Sequence, residues 1–185
     1  MTPENGSAEP APSGKGVSTP SPAIWKPRRT TRMGATVDRA TETEVPALEI
    51  RRKFSVPREK VYAAWTDAVA LAEWMGPQGV RVRVDELEVR PGGRYHFTFL
   101  TEEGDLPLGG EFIEVVENER LVFSWCWEGG DIAGVETVVE LTFAEADSGT
   151  EMILNHRKLP TATAAEKHTE GWTGCLACLS EYLGG

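Results

Sequence analysis

Residues 80–100 read VRVRVDELEVRPGGRYHFTFL. Val80, Val82 and Val84 alternate with Arg81, Arg83 and Asp85, the period-two pattern of a strand with one buried face. Then the phase slips, and Leu87 and Val89 continue the apolar set on odd positions. One extra residue near Asp85–Glu86, a β-bulge, explains the slip and curves the sheet. RPGG at 90–93 reads as a hairpin turn with one glycine at positive φ and Arg90 paired to Glu88 or a neighbour. A phosphate-binding nest at Arg90, Gly92 and Gly93 is the alternative. RYHFTFL then places Tyr95, Phe97 and Phe99 in phase on the returning strand.

Downstream the alternation repeats. GDLPLGG (104–110) reads as a loop, EFIEVVE (111–117) as a strand and NER (118–120) as a tight turn. LVFSWCW (121–127) puts Leu121, Phe123, Trp125 and Trp127 on one face, and EGGDIAG (128–134) turns the chain. VETVVELTF (135–143) and EMILNHR (151–157) complete six strands in an antiparallel meander. Then the period changes to that of a helix. In 162–183, Trp172, Leu176, Leu179 and Leu183 form one apolar stripe bordered by Cys175.

Upstream of residue 80, ALEIRRKFS (47–55) reads as a further strand, and VPREKVYAAWTD (56–67) and AVALAEWM (68–75) as two short helices. Pro57 suits the first turn of the former. Gly76-Pro77 stops the latter. One long amphipathic helix against a bent antiparallel sheet is an α+β architecture. A curved sheet closed by a single helix leaves a space between them.

Residues 1–44 are rich in Pro, Ser, Thr, Gly and Ala without apolar periodicity, and are expected to be a disordered N-terminal extension. Met33 within them is a possible alternative start. The domain is expected to occupy residues 45–185. The N-terminus has no apolar segment of a signal peptide, and no run approaches the roughly 18 apolar residues of a membrane span. A soluble cytoplasmic protein is expected, with no membrane partner.

Residues 1–44 carry six Lys/Arg and five Asp/Glu; residues 45–185 carry thirteen and twenty-four. An acidic body repels phosphate backbones, which argues against a nucleic-acid partner. The three cysteines, Cys126, Cys175 and Cys178, make no disulfide framework. Cys175-x-x-Cys178 lies mid-helix without the preceding strand of a redox motif, and His96, His156 and His168 are scattered, so no metal site is expected.

Several stretches in this order resemble the AHSA1-like (activator of Hsp90 ATPase homologue) family of the START/Bet v 1-like (SRPBCC) superfamily. They are VPREKVYAAWTD, WMGP (74–77), VRPGGRYHF (89–97), GEFIEVVENERLVFSW (110–125), LNHRKLP followed by HTEGW, and LACLSEYL, spread over about 140 residues. Glu88 stands where the family usually has Asp before its Arg-x-Gly-Gly turn, and Met75 where it often has a second Trp. The resemblance implies a helix-grip fold, a curved antiparallel β-sheet wrapped around a long C-terminal helix, with an apolar cavity between them. It implies no cofactor and no shared catalytic set. It also implies a small apolar ligand, or alternatively an Hsp90-activating co-chaperone, or a polyketide cyclase or aromatase using the same cavity. A monomer and a homodimer fit equally.

The candidate ligand-binding residues are Trp74, Tyr95, Phe97, Phe99, Phe123, Trp125, Trp127, His156, Trp172 and Leu176. The bland alternative for the aromatics is a filled core. Trp74 with Gly76 and Pro77 is either a lid at the cavity mouth or a packing corner. His156, in phase with Met152 and Leu154, is the one candidate acid or base. His168, four residues before Trp172, fits a packing or capping role better. Tyr95, Ser124 and His156 are the polar groups that would orient a ligand. No Ser–His–Asp set, carboxylate pair or phosphate loop is visible, so the chain reads as a binding protein rather than an enzyme.

Overall fold

The computed structural model describes residues 46–77 and 79–184. The extension expected at 1–44 lies outside them. The elements are β1 (Leu48–Phe54), α1 (Arg58–Thr66), α2 (Ala68–Trp74), β2 (Arg81–Leu87), β3 (Arg94–Thr101), β4 (Gly104–Val116), β5 (Arg120–Trp127), β6 (Thr137–Ala146), β7 (Gly149–Arg157) and α3 (Ala162–Tyr182). The strands form one antiparallel sheet in the order β1-β7-β6-β5-β4-β3-β2. The expected six-strand meander is present, and β1 crosses over to pair with β7.

The phase slip in 80–89 is a bulge. Val82 pairs with Phe99 and Val84 with Phe97, but the register shifts before Glu86, which pairs with His96. A second shift lies between Phe112 and Glu114 on β4, leaving Ile113 exposed while Phe112 is buried. Extra residues on one strand of a pair bend it and increase its twist. With one bulge on β2 and the other on β4, on either side of β3, this half of the sheet curls toward the helices.

The loop expected at 104–110 is instead the first half of β4. Pro107 misled the reading, because proline removes a ladder donor. It is tolerated here because the β4–β5 ladder begins only at Leu108, opposite Trp127, so the missing N–H falls at the ladder's end. Gly109 and Gly110 belong to the strand as well. A Cβ on Gly110 would lie 2.1 Å from the Ser124 carbonyl and 2.8 Å from the Tyr95 ring, so only glycine fits. The RPGG stretch is the expected turn: Gly92 has φ +75° and Arg90 Nη2 donates to Glu88 Oε2 at 2.6 Å. A Cβ on Gly93 would meet the Glu88 carbonyl at 2.0 Å.

The helices are capped by side chains. Asp67 accepts from the Ala70 N–H at the start of α2, and Thr161 from the Ala164 N–H at the start of α3. The core is built from Val61 and Trp65 of α1, Leu71 and Trp74 of α2, the inward residues of the sheet, and Trp172, Leu176 and Leu179 of α3. The sheet grips α3 along one face while α1 and α2 pack beside it. No helix among the described residues is long and apolar enough to cross a membrane.

Candidate functional site

A cleft of about 550 Å3 lies between the sheet and the N-terminal half of α3. Its walls come from four places. Phe99, Leu106, Trp125 and Trp127 rise from β3, β4 and β5. Ala164, His168, Trp172 and Cys175 descend from α3. The loop after β5 contributes Gly129, Gly130, Asp131, Ile132 and Val135, and the α2–β2 corner contributes Met75 and Pro77.

Of the nominated residues, Phe99, Trp125, Trp127 and Trp172 line this cleft. Trp74, Tyr95, Phe97, Phe123, His156 and Leu176 do not; all six are buried in the core. The division follows position along the strands rather than choice of face. On β3, Tyr95 and Phe97 sit at the end packed by α1 and α2, and Phe99 at the open end. On β5, Phe123 sits at the packed end and the two tryptophans at the open one. Tyr95, Phe97 and Phe123 surround a gap of only about 10 Å3. That is barely one water.

Trp74 is fully buried. Its Nε1 donates to the Ala64 carbonyl at 2.8 Å and its ring meets the Trp65 ring edge-on at 4.6 Å. It ties α2 to α1 rather than covering the cleft. The neighbours Met75 and Pro77 do reach the cleft, because Gly174 on α3 lets Pro77 approach; a Cβ there would be 3.0 Å from the proline ring. Tyr95 donates its hydroxyl proton to the Ser124 carbonyl at 2.6 Å, and Ser124 Oγ accepts from the Glu111 N–H. Both of these polar groups are consumed inside the fold.

The two histidines near the cleft are fixed as neutral tautomers by their partners. Thr137 Oγ1 donates its proton to the Trp125 carbonyl at 2.8 Å. Its contact with His156 Nε2, at 2.7 Å, must therefore be donated by the ring. That leaves His156 Nδ1 as the acceptor for the Trp172 Nε1–H at 3.1 Å. In His168, Nδ1 faces the Ala164 carbonyl at 2.8 Å and must donate, so Nε2 accepts the Trp127 Nε1–H at 3.1 Å. The rings stand perpendicular with centroids 4.8 Å apart. Burial, and secondarily the neighbouring His168, pushes the pKa of His156 down to about 3. Burial also lowers that of His168, opposed by its bond to Ala164. Neither ring has a free nitrogen for proton transfer.

Cys175 Sγ–H donates to the Met75 carbonyl at 2.8 Å, and burial followed by the nearby Cys178 pushes its thiol up to about 12. A thiol held protonated is a poor nucleophile and a poor metal ligand. On the outer face of the sheet, His96 lies between Asp85 Oδ2 and Glu128 Oε1, each 3.1 Å away. At the cleft rim Lys167 pairs with Asp131, joining α3 to the loop after β5.

The sequence reading missed this loop, Leu106 and the first turns of α3. One signal was available: Ile132 and Val135 are branched aliphatic side chains in a glycine-rich loop.

A curved antiparallel sheet gripping one long helix, with a cleft left at the helix's N-terminal end, defines a protein of the helix-grip, START/Bet v 1-like class. Within it the chain belongs to the Activator of Hsp90 ATPase homolog 1-like family, whose model matches residues 55–184. The chain is similar to a solved structure from Chromobacterium violaceum, at 29% identity over 75% of this chain and 97% of that one, with a TM-score of 0.69. It is similar to an AHSA1 protein from Silicibacter pomeroyi at the same identity and coverage, with a TM-score of 0.67. DynU16, from the dynemicin biosynthetic locus, is 20% identical over 74% of this chain and 46% of its own, with a TM-score of 0.62, and shares the fold alone. No curated protein matches the chain.

Proposed function

We propose that this chain binds a small, largely apolar molecule in the cleft beside α3 and performs no chemistry on it. The observation that carries the reading is the cleft itself: about 550 Å3, walled by Phe99 and three tryptophans. That volume lies within the range of small-molecule sites. A ligand of about 20 non-hydrogen atoms at roughly 0.3 kcal/mol each would bind with about 6 kcal/mol, a Kd of tens of micromolar. The absence of catalysis is supported by the two histidines, whose ring nitrogens are all engaged within the protein. The expected compartment is the cytoplasm.

Native mass spectrometry of protein purified gently from its own host tests this reading. A mass excess that disappears on denaturation supports it. An unladen protein that also fails to take up any apolar probe speaks against it. The family description suggests a second reading, a co-chaperone acting on an Hsp90 ATPase. Retention of the chain on the host's Hsp90 would favour that reading.

A further inference from the structure

The polar groups around the cleft share one property: almost all are already used. Trp127 Nε1–H goes to His168 and Trp172 Nε1–H to His156. Trp125 Nε1 is enclosed, without a hydrogen-bond partner in the protein. Thr101 donates to the Gly104 carbonyl, Thr161 caps α3, and Lys167 is paired with Asp131. What the wall offers a ligand is carbon, with Phe99, Trp125, Trp127 and Trp172 as its flat surfaces.

A flexible acyl chain entering such a site gains burial but loses rotamer freedom at every bond. A rigid ring system loses none. Each aromatic pair it makes adds roughly two- to tenfold in affinity beyond the area buried. The ring contacts already in the wall show how such pairs form here: Trp125 and Trp172 centroids lie 4.9 Å apart, and Phe99 and Trp127 5.2 Å apart.

Resting on the binding reading above, we propose that the cleft selects flat polycyclic aromatic molecules over acyl chains, and that His168 is a positioning residue for this selectivity. His168 lines the cleft and holds the indole N–H of Trp127, so that this side chain meets the ligand as apolar surface. A protonated His168 would present an N–H to the N–H of Trp127, and the hold would fail. The groups facing His168 are Trp127 from β5, His156 from β7, and the neighbouring Lys167 with its partner Asp131 on the loop. His156 stays neutral to about pH 3. Asp131 has its pKa lowered and Lys167 raised by their mutual hydrogen bond and charge, so neither changes state at mildly acidic pH.

The test uses the full chain with bound Nile red as reporter. Anthracene-2-carboxylate and pentadecanoate, matched in carbon number and head group, compete for it. The aromatic acid is expected to displace Nile red at a concentration at least about tenfold lower. Equal or better displacement by pentadecanoate overturns the selectivity and leaves the binding reading standing. Failure of Nile red to bind overturns both. For His168, the variant His168→Gln keeps an acceptor near the Nε2 position, and His168→Phe removes it. Nile red affinity of the unsubstituted chain is expected to fall severalfold as pH drops from 7 to 4.5, the direction in which His168, its pKa lowered by burial, gains its proton. In His168→Gln it is expected to stay flat. A flat profile in both, or an equal fall in both, overturns the role of His168 even if His168→Phe does not fold.

Discussion

His156 is held between Thr137 and Trp172 with neither ring nitrogen free. Its folded pKa of about 3 lies below the usual 6.5, so the unfolded state binds the proton more readily. The stability contributed by keeping the ring neutral is complete above pH 6.5 and is lost as pH falls toward 3. Between pH 7 and 4.5 this one group costs about 2–3 kcal/mol. Urea unfolding at the two pH values is the measurement, and His156→Gln is expected to lose less over the same interval by about that amount. An identical loss in both chains would place the acid sensitivity elsewhere. The inward orientation of His156 could be read from its phase with Met152 and Leu154. Its engagement on both sides could not, because the partners come from β6 and α3, 19 and 16 residues away. Periodicity reports a face, not the atoms waiting there.

At the scale of elements, β4 tests the account best. Its first half carries Pro107, Gly109 and Gly110, residues that local rules assign to a loop. Tertiary packing overrides them. Gly110→Ala drives a methyl into the Ser124 carbonyl and the Tyr95 ring, and is expected to cost about 3 kcal/mol or more. At Gly109 the nearest atom to an added Cβ is 3.4 Å away, on His96, and the alanine variant is expected to cost under about 1 kcal/mol. Thermal or urea unfolding of the two single variants separates them, and similar losses in both would contradict the packing described. The bulge at Val84–Glu86 was legible because it shifts the apolar phase within one strand. The loop after β5 was not legible as a cleft wall. One of its ties, from Lys167 to Asp131, comes from far along the chain. Gly130 and Gly134, at φ +80° and +75°, give that loop backbone freedom. Asp131→Asn is therefore expected to leave the thermal midpoint nearly unchanged, as exposed pairs contribute little. It is expected to speed exchange of a bound probe, measured by stopped-flow fluorescence. Unchanged exchange would mean that the pair does not restrain the loop.

For the molecule as a whole, the sequence carried the architecture: the meander, the two short helices, the gripped helix and the curvature were all present as period, phase and punctuation. It did not carry the division of the aromatic face. Tyr95, Phe97 and Phe99 share one phase, as do Phe123, Trp125 and Trp127, yet only the members at one end of each strand reach the cleft. The deciding factor is how far α1 and α2 extend across the sheet, which no local pattern encodes. That division is the basis of the functional claim, and it predicts where a ligand is felt. The chain has six tryptophans, and each indole N–H gives its own signal in a proton–nitrogen correlation spectrum. On titration with Nile red, the signals of Trp127 and Trp172, whose indoles line the cleft, are expected to shift, while those of Trp65 and Trp74 in the packed end stay in place. Shifts centred on Trp65 and Trp74, or no shift in any indole at saturating probe, would contradict a ligand site in the cleft beside α3.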